Sequence, residues 1–227
     1  MLETNRQRRP SKRVIMKRRR IVTILGLTIL ALIFGYLTIR FLRNENVLYL
    51  ENMNRGTYSF NKLKKIQEDY ESNLNIKEID FKWTGEFESG NNPKYLVYHH
   101  TASSEDTPEG INKTHIDNGW GGIGYHYYIR KDGSIYKGRP EGAVGAHAIG
   151  RNRDSIGICL EGNFEKTKPT EEQLNSIVKL SVDMIIKYNI GSSIGHKDVY
   201  ETLCPGKKFP MDDIKNRVAD ELLKEIN

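Results

Sequence analysis

The 227-residue chain has few cysteines and few tryptophans, two of each. Two cysteines, Cys159 and Cys204, cannot build a disulfide-dense scaffold, so a folded exported part must rest on a hydrophobic core. A Cys159–Cys204 bridge stays open beside separate roles for the two thiols. There is no internal repeat and no low-complexity run, which excludes a solenoid. Acidic residues are almost missing from the first 43 positions, where Glu3 stands against 11 Lys and Arg. That segment carries +10 of formal charge while the whole chain carries +6, so residues 44–227 carry −4. The sequence pI near 9.1 is thus a property of the N-terminus. A nucleic-acid binder needs its basic patch on a folded face. The folded part here is net acidic, which argues against nucleic acid as a partner.

Charge is also missing from residues 21–39, IVTILGLTILALIFGYLTI. As a helix this run would be about 28 Å long, close to the ~30 Å hydrocarbon core of a bilayer. Lys17-Arg18-Arg19-Arg20 precede it, and a smaller cluster, Arg40 and Arg43, follows. The imbalance predicts a cytoplasmic N-terminus and an exported C-terminal part. No small-x-small cleavage site follows the run, so it reads as an uncleaved signal-anchor. The chain divides into a basic cytoplasmic tail (1–20), a transmembrane signal-anchor (21–42), a stalk or linker (43–75) and a folded domain (76–227). The anchor makes the lipid bilayer a partner, and the basic tail meets anionic headgroups. The location is the cell membrane, single-pass, with the C-terminal domain extracytoplasmic. Part of the linker, around Phe60 to Tyr70, has helical character.

Within 76–227, Lys94 to Tyr98 reads as a short buried strand leading to His99. Thr107-Pro108 opens a helix to Asn118, with proline suited to the first turn. Tyr125–Arg130 and Ser134–Lys137 flank Asp132-Gly133, a hairpin signal. Ser155–Leu160 is another strand. Thr170–Tyr188 has apolar residues at helical spacing (Leu174, Ile177, Val178, Val182, Ile185, Ile186), with Thr170 and Gln173 placed as a capping box and Gly191 as a stop. Met211–Ile226 is a closing amphipathic helix. Strands interleaved with helices give an α/β single domain with a central mixed β-sheet flanked by helices, preceded by the one transmembrane helix.

His99, His196 and Cys204 offer two imidazoles and a thiol, the donors zinc prefers. Three protein ligands with an open fourth position are the catalytic form of such a site. Residues alternate across a strand, so only one of His99 and His100 can face a metal.

Five ordered blocks carry a family resemblance: VYHHTAS (97–103), GWGGIGYHYYIRKDGSIYKGR (119–139), VGAHAIGRN (144–152), SIGICLEGNF (155–164) and GHKDVYETLCPG (195–206). Together they resemble the zinc-dependent N-acetylmuramoyl-L-alanine amidases of type 2. These share a fold with peptidoglycan recognition proteins and small phage lysozymes of the amidase kind. The resemblance implies His99, His196 and Cys204 as zinc ligands. It implies Tyr125 as the catalytic tyrosine, donating to the oxyanion or orienting the attacking water. It makes Thr202 a further catalytic candidate at a position where some relatives have lysine, a cation that threonine cannot replace. His147, Asn152 and Trp120 fall at substrate-cleft positions, and Gly119-Trp120 resembles the pair associated with diaminopimelate stems. One branch of the superfamily has a glutamate general base on the strand matching 156–161; this chain has Cys159 there, with Glu161 on the same face. The implied reaction is zinc-dependent hydrolysis of the amide between N-acetylmuramic acid and L-alanine in bacterial peptidoglycan. The alternative is a muropeptide-binding receptor without catalysis, against which Cys204 and Tyr125 both speak.

Overall fold

The computed structural model describes residue 16, residues 21–35 and residues 60–226, in two compact units, Met1–Arg43 and Asn44–Asn227. In the first unit, residues 21–35 are helical with their apolar side chains exposed, Leu32 and Phe34 among them. Among the described residues no helix is long and apolar enough to cross a membrane. Fifteen helical residues reach about 22 Å, short of the ~30 Å needed. The transmembrane helix expected over 21–42 is thus unsupported at its full length; residues 36–42 lie outside the described residues, as do most of the tail and the linker as far as 59.

The second unit is built on a five-stranded mixed sheet. Its elements are α1 (Phe60–Asn73), β1 (Tyr95–His100), α2 (Pro108–Asp117), β2 (Tyr127–Ile129), β3 (Ile135–Lys137), β4 (Ser155–Leu160), α3 (Glu171–Tyr188), β5 (Ser192–Gly195) and α4 (Met211–Ile226). The strand order is β3-β2-β4-β1-β5. β1 pairs in parallel with β4 and β5, β2 in parallel with β4, and β2 antiparallel with β3.

Local sequence explains most of these boundaries. Thr107 caps α2 by accepting the Gly110 N–H at 3.1 Å. Thr170 and Gln173 form the capping box that opens α3. That helix ends at Asn189 in the left-handed conformation (φ 54°), two residues before the glycine expected to stop it; asparagine tolerates this backbone better than most residues. In the hairpin, Gly133 takes φ +79° and Asp132 Oδ1 accepts the Ser134 N–H. β5 carries no strand signal in its Ser-Ser-Ile-Gly; its pairing with β1 creates it.

Alternation along β1 divides the core. Tyr98 faces α3 and α4, in a cluster with Ile177, Leu180, Ile214 and Phe209. Fully burying such an aliphatic side chain contributes roughly 1.5–3 kcal/mol. The opposite face is smaller and holds Ile111 of α2, Tyr128, Cys159 and Phe81. Three layers result, and the chemistry-bearing residues lie on the second face.

Packing begins earlier than residue 76. Ile66, Tyr70 and Leu74 recur at i, i+4, i+8 and turn inward, with Tyr70 and Leu74 against the α3 and α4 core. The Tyr70 hydroxyl donates to Glu221 at 2.9 Å, and Gln67 Nε2 donates to Asp183 Oδ1 at 3.1 Å. Lys187 of α3 reaches Glu71 and Glu141, each at 3.2 Å. Residues 60–73, read as linker from sequence, therefore belong to the folded unit.

Candidate metal centre

His99 is the penultimate residue of β1 and lies on the smaller core face, while its neighbour His100 turns to the other side, where its Nδ1 accepts the Phe164 N–H at 3.1 Å. β5 runs beside β1, and His196 follows it directly in a short 3-10 turn, His196–Asp198. Asp198 fixes that turn by accepting the Gly195 N–H at 2.7 Å. The loop from 196 to 204 closes on itself through the Lys197 N–H, which donates to the Cys204 carbonyl at 2.8 Å. Cys204 thereby comes beside His99, and the His100 N–H approaches its Sγ at 3.5 Å.

The donor atoms of His99, His196 and Cys204 all lie within 4.8 Å of one another. His99 Nδ1 stands 3.6 Å from Cys204 Sγ. Zinc–nitrogen and zinc–sulfur bonds of about 2.0 and 2.3 Å at the tetrahedral angle set two donors about 3.5 Å apart, close to this separation. Number, type and spacing therefore fit a zinc ion with one position left open. Burial, followed by the neighbouring histidines, holds the His99 pKa well below the ordinary imidazole value, which keeps a ring lone pair available. Burial pushes the Cys204 thiol up to about 12, so a cation is needed to hold it as thiolate.

The free thiols of Cys159 and Cys204 correct the disulfide alternative. Cys159 is wholly buried in β4, opposite His99 in the parallel register.

Tyr125 lies over the centre, its ring 5.0 Å from that of His99 and 5.3 Å from that of His115. Burial keeps its phenol protonated, with its pKa well above the usual value. Thr202 Oγ1 accepts the Cys204 N–H at 3.2 Å, leaving its own hydroxyl hydrogen to donate.

His147 is placed differently from the cleft position expected of it. It is 7% exposed, with Nδ1 3.0 Å from His99 Nε2 and its ring edge-on to His99 and His126. Two glycines admit the ring: a Cβ on Gly157 would come within 2.6 Å of it, and one on Gly145 within 2.5 Å. Asn152 shapes the same loop, its Oδ1 accepting the N–H groups of His147 and Ala148 at 2.9 and 2.8 Å. Trp120 remains at the surface, 47% exposed, against His115. Glu161 is buried and paired with Arg130 Nε at 3.1 Å, a strand-end role.

Other residues enter that sequence reasoning did not select. His115 is buried, and its Nδ1 accepts the Gly124 N–H at 2.9 Å, fixing the turn into Tyr125. Burial, then Arg139, lowers its pKa to about 4. Ser155 closes the chain of contacts behind His147 at 3.4 Å. Exposed Ile149, Tyr200 and Leu203 sit on the loops that carry His147, His196 and Cys204. No spacing rule singles these out. A cavity of about 320 Å³ lies between residues 84–88 and Gly119-Trp120, with Arg139 in its wall.

A family model described as N-acetylmuramoyl-L-alanine amidase matches residues 89–207. The endolysin of Enterobacteria phage T3 is 38% identical over 100 residues, which are 42% of this chain and 66% of that relative, slightly under two thirds of its length. Peptidoglycan-recognition protein SC2 of Drosophila melanogaster is 36% identical over 124 residues, 49% of this chain and 67% of the relative. Among solved structures, the N-acetylmuramoyl-L-alanine amidase LysC from Clostridium intestinale superposes with a TM-score of 0.62 at 47% identity, covering 63% of this chain and 96% of its own.

Proposed function

From the premise that the chain belongs to the N-acetylmuramoyl-L-alanine amidase family, we propose that it hydrolyses the amide between N-acetylmuramic acid and L-alanine of peptidoglycan with one zinc ion. The observation that carries this reading is the convergence of His99, His196 and Cys204, with the ring of Tyr125 5.0 Å from that of His99. Zinc held there supplies Lewis-acid activation of water and of the substrate carbonyl.

The chain's own residues supply the rest. Tyr125, neutral and fixed by two imidazole rings, donates its proton toward the oxygen that gains charge at the substrate carbonyl. His147 and Ser155 hold His99 from behind. Thr202 steadies the Cys204 amide and keeps a donor for the departing amine side of the substrate. The exposed apolar side chains of Trp120, Tyr200 and Leu203 suit the faces of sugar rings and the stem peptide. Gly119-Trp120 beside the Arg139 cavity supports a preference for diaminopimelate stems, checked by comparing turnover on the two stem types; equal rates would refute it. The complete donor set favours catalysis over a binding-only receptor.

Membrane attachment through residues 21–39 is part of the proposal. It is supported by the uncharged sequence, the basic flank and the exposed apolar side chains of 21–35. Recovery of the full chain in the aqueous phase of a detergent partition would dismiss it. The enzymatic test measures zinc per chain and the release of L-alanine amino termini from purified peptidoglycan, with and without chelator. One zinc per chain and chelator-sensitive release support the amidase. Zinc-free protein that binds peptidoglycan without cutting it would overturn that reading.

A further inference from the structure

The cavity of about 320 Å³ beside Trp120 has the segment 84–88 as one wall. That segment is tied down at both ends. The Thr84 N–H donates to the Gly121 carbonyl at 3.0 Å, and the Glu88 carbonyl accepts the Val144 N–H at 2.7 Å. Between these ties Phe87 packs edge-on against Trp83, ring centroids 4.4 Å apart. Trp83 lies so close to Gly122 that a Cβ there would come within 2.2 Å of its ring. Arg139 holds the facing wall. Its guanidinium donates to the carbonyls of Trp120, Val144 and Ile123 at 2.7, 3.0 and 3.1 Å, and lies 5.1 Å from the Phe87 ring. Of the charged side chains lining the cavity, Arg139 is thus engaged with carbonyls and an aromatic face, and Glu88 is paired with Arg153. Glu86 is exposed, and its carboxylate has no hydrogen-bond or ion-pair partner among the described residues. A braced wall therefore presents one uncommitted negative charge. The Trp120 ring is 4.7 Å from that of His115, which is 5.3 Å from that of Tyr125. One imidazole separates the cavity wall from the tyrosine. At about 3.3–3.6 Å per extended residue, a stem peptide cut at its first amide reaches that wall within about three residues. The third residue of such a stem is a diamino acid.

We propose that Glu86 recognises the side-chain ammonium of the stem's diamino acid, so that the chain selects stems whose amine is free over stems whose amine is acylated in a cross-link. The proposal rests on the reading of the cleft as a peptidoglycan site. A free alkyl amine is protonated at neutral pH, as in lysine, and pairs with a carboxylate. Acylation turns it into a neutral amide and removes that charge. Diaminopimelate and lysine both carry such an amine, so this selection is separate from the choice between the two stem types. An exposed ion pair is worth at most about a factor of five in affinity. Glu86 touches no reacting atom, and binding that is equal in ground and transition states lowers KM without raising kcat.

The test measures affinity by calorimetry on the full chain. The probes are stem tripeptides without the sugar, which hold no bond for the amidase to cut. They share one diamino acid, its side-chain amine free in one probe and N-acetylated in the other. The parent should bind the free-amine stem about 3- to 5-fold more tightly. Glu86→Gln should bind both alike, at the level the parent shows for the acetylated stem. Glu86→Asp, which keeps the charge, should keep part of the preference, and added salt should reduce it in the parent. With the corresponding N-acetylmuramoyl tripeptides as substrates, the same factor should appear in KM and leave kcat unchanged. Equal affinities in the parent overturn the proposal. A preference that survives in Glu86→Gln also overturns it, since that marks steric exclusion of the acetyl group. An intact, Glu86-dependent preference without cleavage of either substrate refutes the amidase reading alone. Failure to bind either stem removes the peptidoglycan reading of the cleft, and this proposal with it.

Discussion

His147 Nδ1 lies 3.0 Å from His99 Nε2, on the side of the His99 ring turned away from Cys204. The hydrogen positions follow from the partners. Ser155 Oγ donates to the Arg151 carbonyl at 2.5 Å, so it accepts from His147 Nε2. His147 Nδ1 is then bare and accepts from His99 Nε2–H. This leaves His99 Nδ1 with a free lone pair, aimed at the metal position. An outer partner that fixes tautomer and ring orientation is a regular feature of histidine metal ligands.

His147→Ala should therefore weaken zinc binding about 10- to 100-fold, as loss of an outer partner does. Competition with a coloured chelator measures it. Unchanged zinc affinity with a raised KM would return His147 to the substrate cleft.

Cys204→Ser removes one of the three proposed ligands. Zinc content and turnover should fall together, by more than the ~100-fold upper range for an outer partner, because a serine hydroxyl is a poor zinc ligand at neutral pH. Metal analysis beside the alanine-release assay decides it; full zinc occupancy in the variant would exclude Cys204 from the centre.

Tyr125→Phe should keep fold and zinc yet lose about 10²–10³-fold in kcat, the range for a lost oxyanion donor. Unaltered kcat would remove Tyr125 from the mechanism.

Asp183 of α3 is buried beside Gln67, Glu71, Glu141, Lys187, Tyr127 and Tyr188, with Oδ2 unpartnered. Burial raises its pKa to about 6 from an ordinary 3.8. For a carboxylate raised on folding, the folded state binds the proton more tightly, so stability is lost as pH rises from about 4 to 6. Asp183→Asn should be more stable than the parent above pH 6, by about 1–2 kcal/mol, and should lose that advantage below pH 4. Urea unfolding at several pH values tests this; a constant difference across the range would reject the assignment.

Removing residues 1–75 strips Tyr70 and Leu74 from the core, together with the Gln67–Asp183 and Tyr70–Glu221 bonds. A chain starting at 76 should melt several degrees below one starting at 60, since about 1 kcal/mol shifts Tm by roughly 2–4 °C at this size. Equal melting temperatures would restore 60–75 to the linker.

Much of this was legible in the sequence because the signals were local. A capping threonine, an Asp-Gly turn and an apolar stripe each act within a few residues. His99, His196 and Cys204 were readable by their donor chemistry and the ordered blocks around them. The residues behind the site were not. Whether His147 faces the cleft or the back of His99 depends on Gly145 and Gly157 giving way beneath its ring, a fact of three-dimensional approach. β5 exists only through its neighbour β1, and α1 looked like a linker because its apolar face is three residues wide.

His99 and His196 are adjacent in space only because β5 lies beside β1, although 97 positions separate them in the chain, and Cys204 comes eight later. On the reading of these residues as ligands, the proposed zinc centre is complete only once β5 has docked at the sheet edge beside β1. Bound zinc would then report the closure of that edge as well as the chemistry.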